Sequence, residues 1–147
     1  MKIKIEKINP LLELPHYKYK GDAGMDLYNA GEDVTLEPGG RALIPSGIRV
    51  AIPYGYELQV RPRSGLAIKK GITVLNTPGT IDSTYRGEIK VIVFNTTKDP
   101  VKIESKERIA QLVLNKIEEI EWEECRGLEK TERGGGGFGS TGFKDGE

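Results

Sequence analysis

Apolar residues fall along the chain in short runs, either alternating with polar ones or clustered as β-branched blocks. These runs are Ile3-Lys4-Ile5, Val34-Thr35-Leu36, Ile48 to Ile52, Glu57-Leu58-Gln59-Val60, Ile89 to Phe94 and Ile109 to Leu114. Alternation with period two is the pattern of half-buried strands, and runs this short do not make an amphipathic helix. Turn-forming clusters separate them at Glu37-Pro38-Gly39-Gly40, Pro53-Tyr54-Gly55, Thr77-Pro78-Gly79 and Lys98-Asp99-Pro100, where Gly and Pro set the reversals. The gaps are too short for crossover helices, so antiparallel pairing and an all-β sandwich or barrel are predicted. Only Ser64 to Lys70 suits a turn or two of helix, with Ser64 as N-cap and Gly71 as its stop. From Lys116 to Glu124 isoleucine and glutamate alternate imperfectly, which predicts a last strand leaving the body.

Composition narrows the function classes. At 147 residues the chain has one domain's length, and with 37% hydrophobic and 7% aromatic residues it supports an adequate core while leaving room for oligomerisation. The 22 basic residues balance 22 acidic ones, so no basic field is available for duplex nucleic acid; local sites for a small anion remain open. One cysteine, Cys125, forms no internal disulfide, and Met1 to Glu6 interleaves charge with isoleucine, unlike a signal peptide. No apolar run is long enough to span a bilayer. A cytoplasmic location and no membrane partner are the expectation.

Residues 126–147 differ in kind, with eight glycines and only Leu128, Phe138 and Phe143 as large apolar groups. Such a stretch buries too little surface to offset its ordering entropy. The expected division is therefore a β domain over 1–125 and a mobile arm over 126–147. From Trp122 to Phe138 an extended chain reaches roughly 50 Å, enough to cross a small domain and touch a neighbour.

Five segments carry candidate chemistry. Arg133 to Gly142 reads either as a linker or as a phosphate cradle with a stacking platform, since it combines a cation, glycine backbone, two hydroxyls and an aromatic ring. Pro62-Arg63-Ser64-Gly65 reads as a helix cap and as an anion site, two readings that share one geometry. Gly79 to Glu88 follows Asn76 and precedes an apolar strand; Asp82 fits a general base and Tyr85 a packing wall, or the segment is a hairpin with an Asx-turn at Asp82 and an Arg86–Glu88 pair. Ala23 to Leu27 and Glu107 to Leu112 insert polar groups into strand-like sequence, and Arg108 is a candidate partner for a buried Asp26. One histidine, His16, and one cysteine form no transition-metal cluster, and His16 reads as bystander surface.

In order and spacing these segments resemble the five motifs of the trimeric dUTP pyrophosphatase (dUTPase) family: Ala23-Gly24-Met25-Asp26-Leu27, Arg63-Ser64-Gly65, Gly79 to Glu88, Arg108-Ile109-Ala110-Gln111, and Arg133 to Gly142. The likeness spans Ala23 to Gly142. One departure is Lys106, where family members commonly have Gly. The resemblance implies a β jelly roll assembled as a homotrimer, with sites shared by three subunits: one supplies the third motif, a second the second and fourth, and the third its arm. It implies hydrolysis of dUTP to dUMP and pyrophosphate by water attack on the α-phosphorus, which limits uracil incorporation into DNA and supplies dUMP for thymidylate synthesis. Asp82 is then the catalytic group. The substrate contacts implied are Arg63, Ser64, Gly65, Asn76, Gly79, Ile81, Tyr85, Gln111, Arg133, Phe138, Gly139, Ser140 and Thr141, with Asp26 and Arg108 in support. Mg²⁺ is the implied cofactor, held through phosphates and water with no direct protein ligand, Asp26 lying next to its hydration shell. Two rivals remain at this point: a dCTP deaminase of the same fold, and a non-catalytic jelly-roll module whose tail binds a partner.

Overall fold

The computed structural model describes residues 1–142, so positions 143–147 of the expected arm, Phe143 among them, lie outside the described residues. Eleven strands and one helix follow in the order β1 (Lys4–Lys7), β2 (Gly24–Tyr28), β3 (Val34–Leu36), β4 (Arg41–Pro45), β5 (Ile48–Ala51), β6 (Tyr56–Arg61), α1 (Ser64–Lys70), β7 (Ile72–Val74), β8 (Gly79–Ile81), β9 (Lys90–Asn95), β10 (Val101–Ile103) and β11 (Arg108–Lys116). Every strand pairing is antiparallel, as the short gaps require. The sheets are β2-β11-β6-β8, β4-β9-β7, β1-β5 and β3-β10.

Alternation decides which side chains go inside. On β6 Leu58 and Val60 are buried between half-exposed polar neighbours, and on β9 Val91 and Val93 are fully buried. They meet Leu27, Ile44, Ile48, Ile72, Ile89, Ile103 and Leu112 in one continuous core. Each such side chain contributes about 1.5–3 kcal/mol by leaving water. Asn29 and Asn95 are buried too, and each is satisfied by backbone: Asn29 Nδ2 donates to the Glu32 and Glu104 carbonyls, and Asn95 Nδ2 to those of Leu36 and Asp99. They clip together loops far apart in sequence, where an unpaired amide would cost about 1–3 kcal/mol. At the surface, the Lys102 ammonium 2.6 Å from Asp33 Oδ2, with the Ser105 N–H on Oδ1, holds the Asp33 carboxyl below its ordinary range.

Two local expectations change. Helix α1 stops at Gly71 as expected, with φ +62° and its N–H on the Ala67 carbonyl, but its N-cap is Arg63, which makes no side-chain cap bond; Ser64 is the first helical residue. The chain from Arg63 enters extended, which sets the boundary one residue before the hydroxyl. The strand expected over 116–124 does not form: β11 ends at Lys116, Ile117 N–H makes one last bond to the Gly55 carbonyl at 3.0 Å, and beyond it Ile120 and Trp122 lie exposed. The sequence pattern also left β4, β7, β8 and β10 unmarked, three of them only three residues long. No helix among the described residues is long and apolar enough to cross a membrane.

Candidate active site

The outer face of the sheet β2-β11-β6-β8 is polar, and its register explains why. Gln111 on β11 lies opposite Asp26 on β2 and opposite Arg61 on β6, so one row crosses three strands. Arg108 lies opposite Tyr28, two residues on from Asp26 and therefore on the same face. Arg108 and Gln111 are three apart, a spacing that points to opposite faces in a regular strand. A bulge between Arg108 and Ala110 removes the conflict: Ile109 and Ala110 both turn inward, and the two polar residues share the outer face.

On that face a charge cluster forms. Arg63 Nε lies 2.7 Å from Asp26 Oδ1 and Arg108 Nη1 lies 3.4 Å from Oδ2, while Arg63 Nη1 donates to the Arg108 carbonyl at 3.2 Å. Arg108 also stands 5.8 Å over the Tyr28 ring. Arg108, the candidate partner, does pair with half-buried Asp26, and Arg63 is the nearer of the two. Two guanidiniums against one carboxylate leave a net positive charge beside Ser64 and Gln111.

Gln111 Nε2 donates to the Pro62 carbonyl at 2.9 Å. Its side chain lies across Gly24, where a Cβ would sit inside contact distance of Gln111 Oε1 and 3.3 Å from Cδ. Gly24 supports the site in a way the sequence did not reveal; the only cue was its place two residues before Asp26. Gln111 and Ser64 line an open groove of about 510 Å³ with Gln59, Arg61, Pro62 and Thr77. Arg61 was also missed. In this first turn of α1 the Ser64 and Gly65 N–H groups precede the first intrahelical donors, Leu66 and Ala67, which both bond Arg63 O.

Asp82 and Tyr85 line a different groove, of about 320 Å³, with Thr80, Ile81, Glu88, Lys90 and the apolar pair Leu43 and Ile92. A backbone turn carries them, Tyr85 N–H donating to Asp82 O at 3.1 Å, so the carboxylate of Asp82 is free of an Asx-turn and exposed. No Arg86–Glu88 pair forms: Arg86 Nη1 donates to the Ser83 and Tyr85 carbonyls, and the Glu88 carboxylate accepts the Gly47 N–H at 2.9 Å. The Tyr85 hydroxyl donates to Glu88 O at 2.9 Å. Between the grooves, buried Gly79 pairs with Val60, and Asn76 Nδ2 would be 3.3 Å from a Cβ there.

Arg133, Phe138, Gly139, Ser140 and Thr141 are brought to neither groove. Among the described residues, the hydrogen bonds of 126–142 stay within the tail, such as Arg133 Nε to Gly136 O at 2.9 Å and Ser140 N–H to Gly137 O at 3.1 Å, apart from the neighbouring Cys125 Sγ on the Gly127 carbonyl. Phe138 is fully exposed, with φ +52°. One chain therefore presents three separated parts: a cationic polar groove, an aspartate groove, and a tail bearing an aromatic ring.

Known proteins resemble this chain in sequence and in shape. A family profile described as dUTPase matches residues 12–142. The chain is 61% identical over 132 residues to a deoxyuridine 5'-triphosphate nucleotidohydrolase of Fusobacterium nucleatum, covering 89% of this chain and 90% of that one. It is 54% identical over 142 residues to the Nautilia profundicola protein of the same name, covering 97% and 99%. Among solved structures, the dUTPase of Staphylococcus bacteriophage 80alpha with dUPNHPP superposes with a TM-score of 0.86 at 29% identity, covering 96% of this chain and 98% of that one.

Proposed function

Since the chain belongs to the dUTPase family and is a dUTP diphosphatase, we propose that it cleaves its substrate in sites shared by three copies of the chain. The observation that carries this reading is the separation of Asp82 from Gln111 and Ser64 into two grooves. A base and a phosphate cradle serve one reaction only if they face the same nucleotide. A second copy that sets its Asp82 groove against the Ser64 groove meets that need, and a third copy's tail closes the chamber. The antiparallel sheets then form a jelly roll, 1–125, with 126–147 as the arm.

In this reading Ser64, Gly65 and Gln111 bind phosphate oxygens, and the net positive charge of Arg63, Asp26 and Arg108 favours the polyphosphate. Asp82 accepts a proton from a water whose oxygen attacks the α-phosphorus; the bridging P–O bond breaks and pyrophosphate leaves with the electron pair. A carboxylate is a weak base, so positioning and charge stabilisation supply most of the acceleration. Asn76, Gly79 and Ile81 present the polar groups that match uracil and leave cytosine unpaired, discrimination that can reach about 10⁴–10⁵. Tyr85 stands under the deoxyribose and excludes a 2′-hydroxyl. Arg133, Ser140 and Thr141 close over the γ-phosphate, Gly139 gives the backbone its close approach, and Phe138 stacks on the base.

The Asp26 carboxylate is occupied by two guanidiniums, and no group of three or more His, Cys, Asp or Glu among the described residues gathers as a metal cage. Asp26 fits an outer-sphere role: it would lie next to the hydration shell of a Mg²⁺ that enters with the substrate phosphates. When bound, the ion neutralises phosphate charge.

A panel of deoxy- and ribonucleoside triphosphates with pyrophosphate detection tests the reading, with dUTP alone expected to turn over efficiently. Ammonia release from dCTP at a comparable rate would point instead to the deaminase.

A further inference from the structure

We propose that Gly87 is a specificity-determining positioning residue: by carrying no side chain it seats the Tyr85 ring, and through that ring sets how strictly the sugar pocket rejects a 2′-hydroxyl. The inference rests on the reading of Tyr85 as the wall beneath the deoxyribose.

Tyr85 is 43% exposed, so the body of the protein does not hold its ring by burial. Its hydroxyl is tethered to the Glu88 carbonyl at 2.9 Å, and the hydroxyl end of the ring passes over Gly87 to reach it. A Cβ on residue 87 would sit 2.5 Å from Tyr85 Cζ and 2.9 Å from Cε2, with the hydroxyl oxygen closer still. Real Cβ atoms do not approach a ring so closely, and a tyrosine ring cannot flex at its end as a lysine does. The backbone of residue 87 is outside the left-handed region, so alanine meets no dihedral penalty there. What glycine supplies at this position is room.

The seat itself is stiff. The Glu88 carboxylate accepts the Gly47 N–H at 2.9 Å, and Arg86 ties down the carbonyls of Ser83 and Tyr85. With the hairpin fixed by these bonds, a blocked ring has one escape, rotation about its own χ1 with loss of the Glu88 tether. A wall hinged in that way gives when a ribose presses on it. A tethered wall resists, because yielding would break its hydrogen bond.

The test compares kcat/KM for dUTP and UTP in the full-length protein. Gly87→Ala is expected to lower the dUTP:UTP ratio by about 10-fold or more. A purely structural disturbance slows both substrates alike and leaves the ratio unchanged, which would overturn the proposal. Tyr85→Ala is expected to collapse the ratio by itself; if it does not, the sugar-wall reading fails, whereas a collapse in Tyr85→Ala with none in Gly87→Ala defeats only the role of Gly87. In the Tyr85→Ala background, adding Gly87→Ala is expected to leave the ratio where it stands, and a further fall would show that Gly87 acts without the ring. Should Gly87→Ala fail to fold, Tyr85→Phe decides: it keeps the ring and removes the tether, so a partial fall in the ratio supports the proposal and an unchanged ratio refutes it.

Discussion

Gln111 and Phe138 are both assigned to the nucleotide, yet they are held in opposite ways. Gln111 lies in a row with Asp26 and Arg61, its amide bonded to the Pro62 carbonyl and its stem accommodated by the bare backbone of Gly24. Phe138 touches solvent on all sides, on a stretch whose hydrogen bonds are short turns within itself. On the proposed function, the body would meet its ligand with the ordering entropy already lost during folding, and the tail would lose it on binding. It follows that changes in the body act on geometry and on stability together, whereas changes in the tail act on turnover and leave the melting of the body alone.

Asp82→Asn should give the largest effect and is the strictest test of the body's half. Its side chain is exposed, so the fold and nucleotide affinity should survive, while kcat falls by about 10³-fold or more as the base is lost. Pyrophosphate release with calorimetric titration of a non-hydrolysable analogue separates the two; unchanged turnover removes Asp82 from the mechanism. Truncation after Gly127 comes next, with turnover down about 10²-fold and the melting temperature unmoved. A truncate that melts earlier would erase the contrast between the regions. Mixed with Asp82→Asn chains it should regain activity if sites are shared as proposed, since one site of a mixed trimer would then combine an intact Asp82 with an intact tail.

A smaller change lies within the body. Gly24→Ala inserts a methyl group against the flexible end of Gln111, which moves aside at little cost in stability but leaves its amide misplaced. A fall in kcat/KM of about 10-fold is expected, vanishing when Gly24→Ala is made on top of Gln111→Ala, because the displaced group is then absent. Additive losses would mean that Gly24 acts on something other than Gln111.

The two regions were also unequally legible in the sequence. Val91 and Val93, or Leu58 and Val60, declare their strands by alternation, and the glycines of 134–139 declare that nothing packs there. What the pattern hid depends on pairing. The bulge that puts Arg108 and Gln111 on one face reads in sequence only as two apolar residues where alternation calls for one. That Arg63 rather than Arg108 is the close partner of Asp26 is decided by how α1 leaves β6, 37 residues from the carboxylate. The strand expected over 116–124 failed for the converse reason: alternation signals a face to bury but supplies no partner strand.

The smallest expected effect concerns Lys106, where the resemblance led to glycine and the chain has lysine. This residue sits in the left-handed region with φ +65°, its N–H bonded to the Asn29 carbonyl at 2.8 Å in the turn that feeds β11. A residue with a Cβ is disfavoured in that conformation by roughly 1–2 kcal/mol, offset in part because glycine leaves a more disordered unfolded chain. Lys106→Gly should therefore stabilise the body by about 1 kcal/mol, read as a higher urea midpoint at an unchanged slope. The turn stays as it is, so Arg108 and Gln111 keep their places and turnover should not change. A gain in stability accompanied by altered kcat/KM would mean that the turn before β11 also sets the polar row, and the body would then be less rigid around Gln111 than its contacts imply.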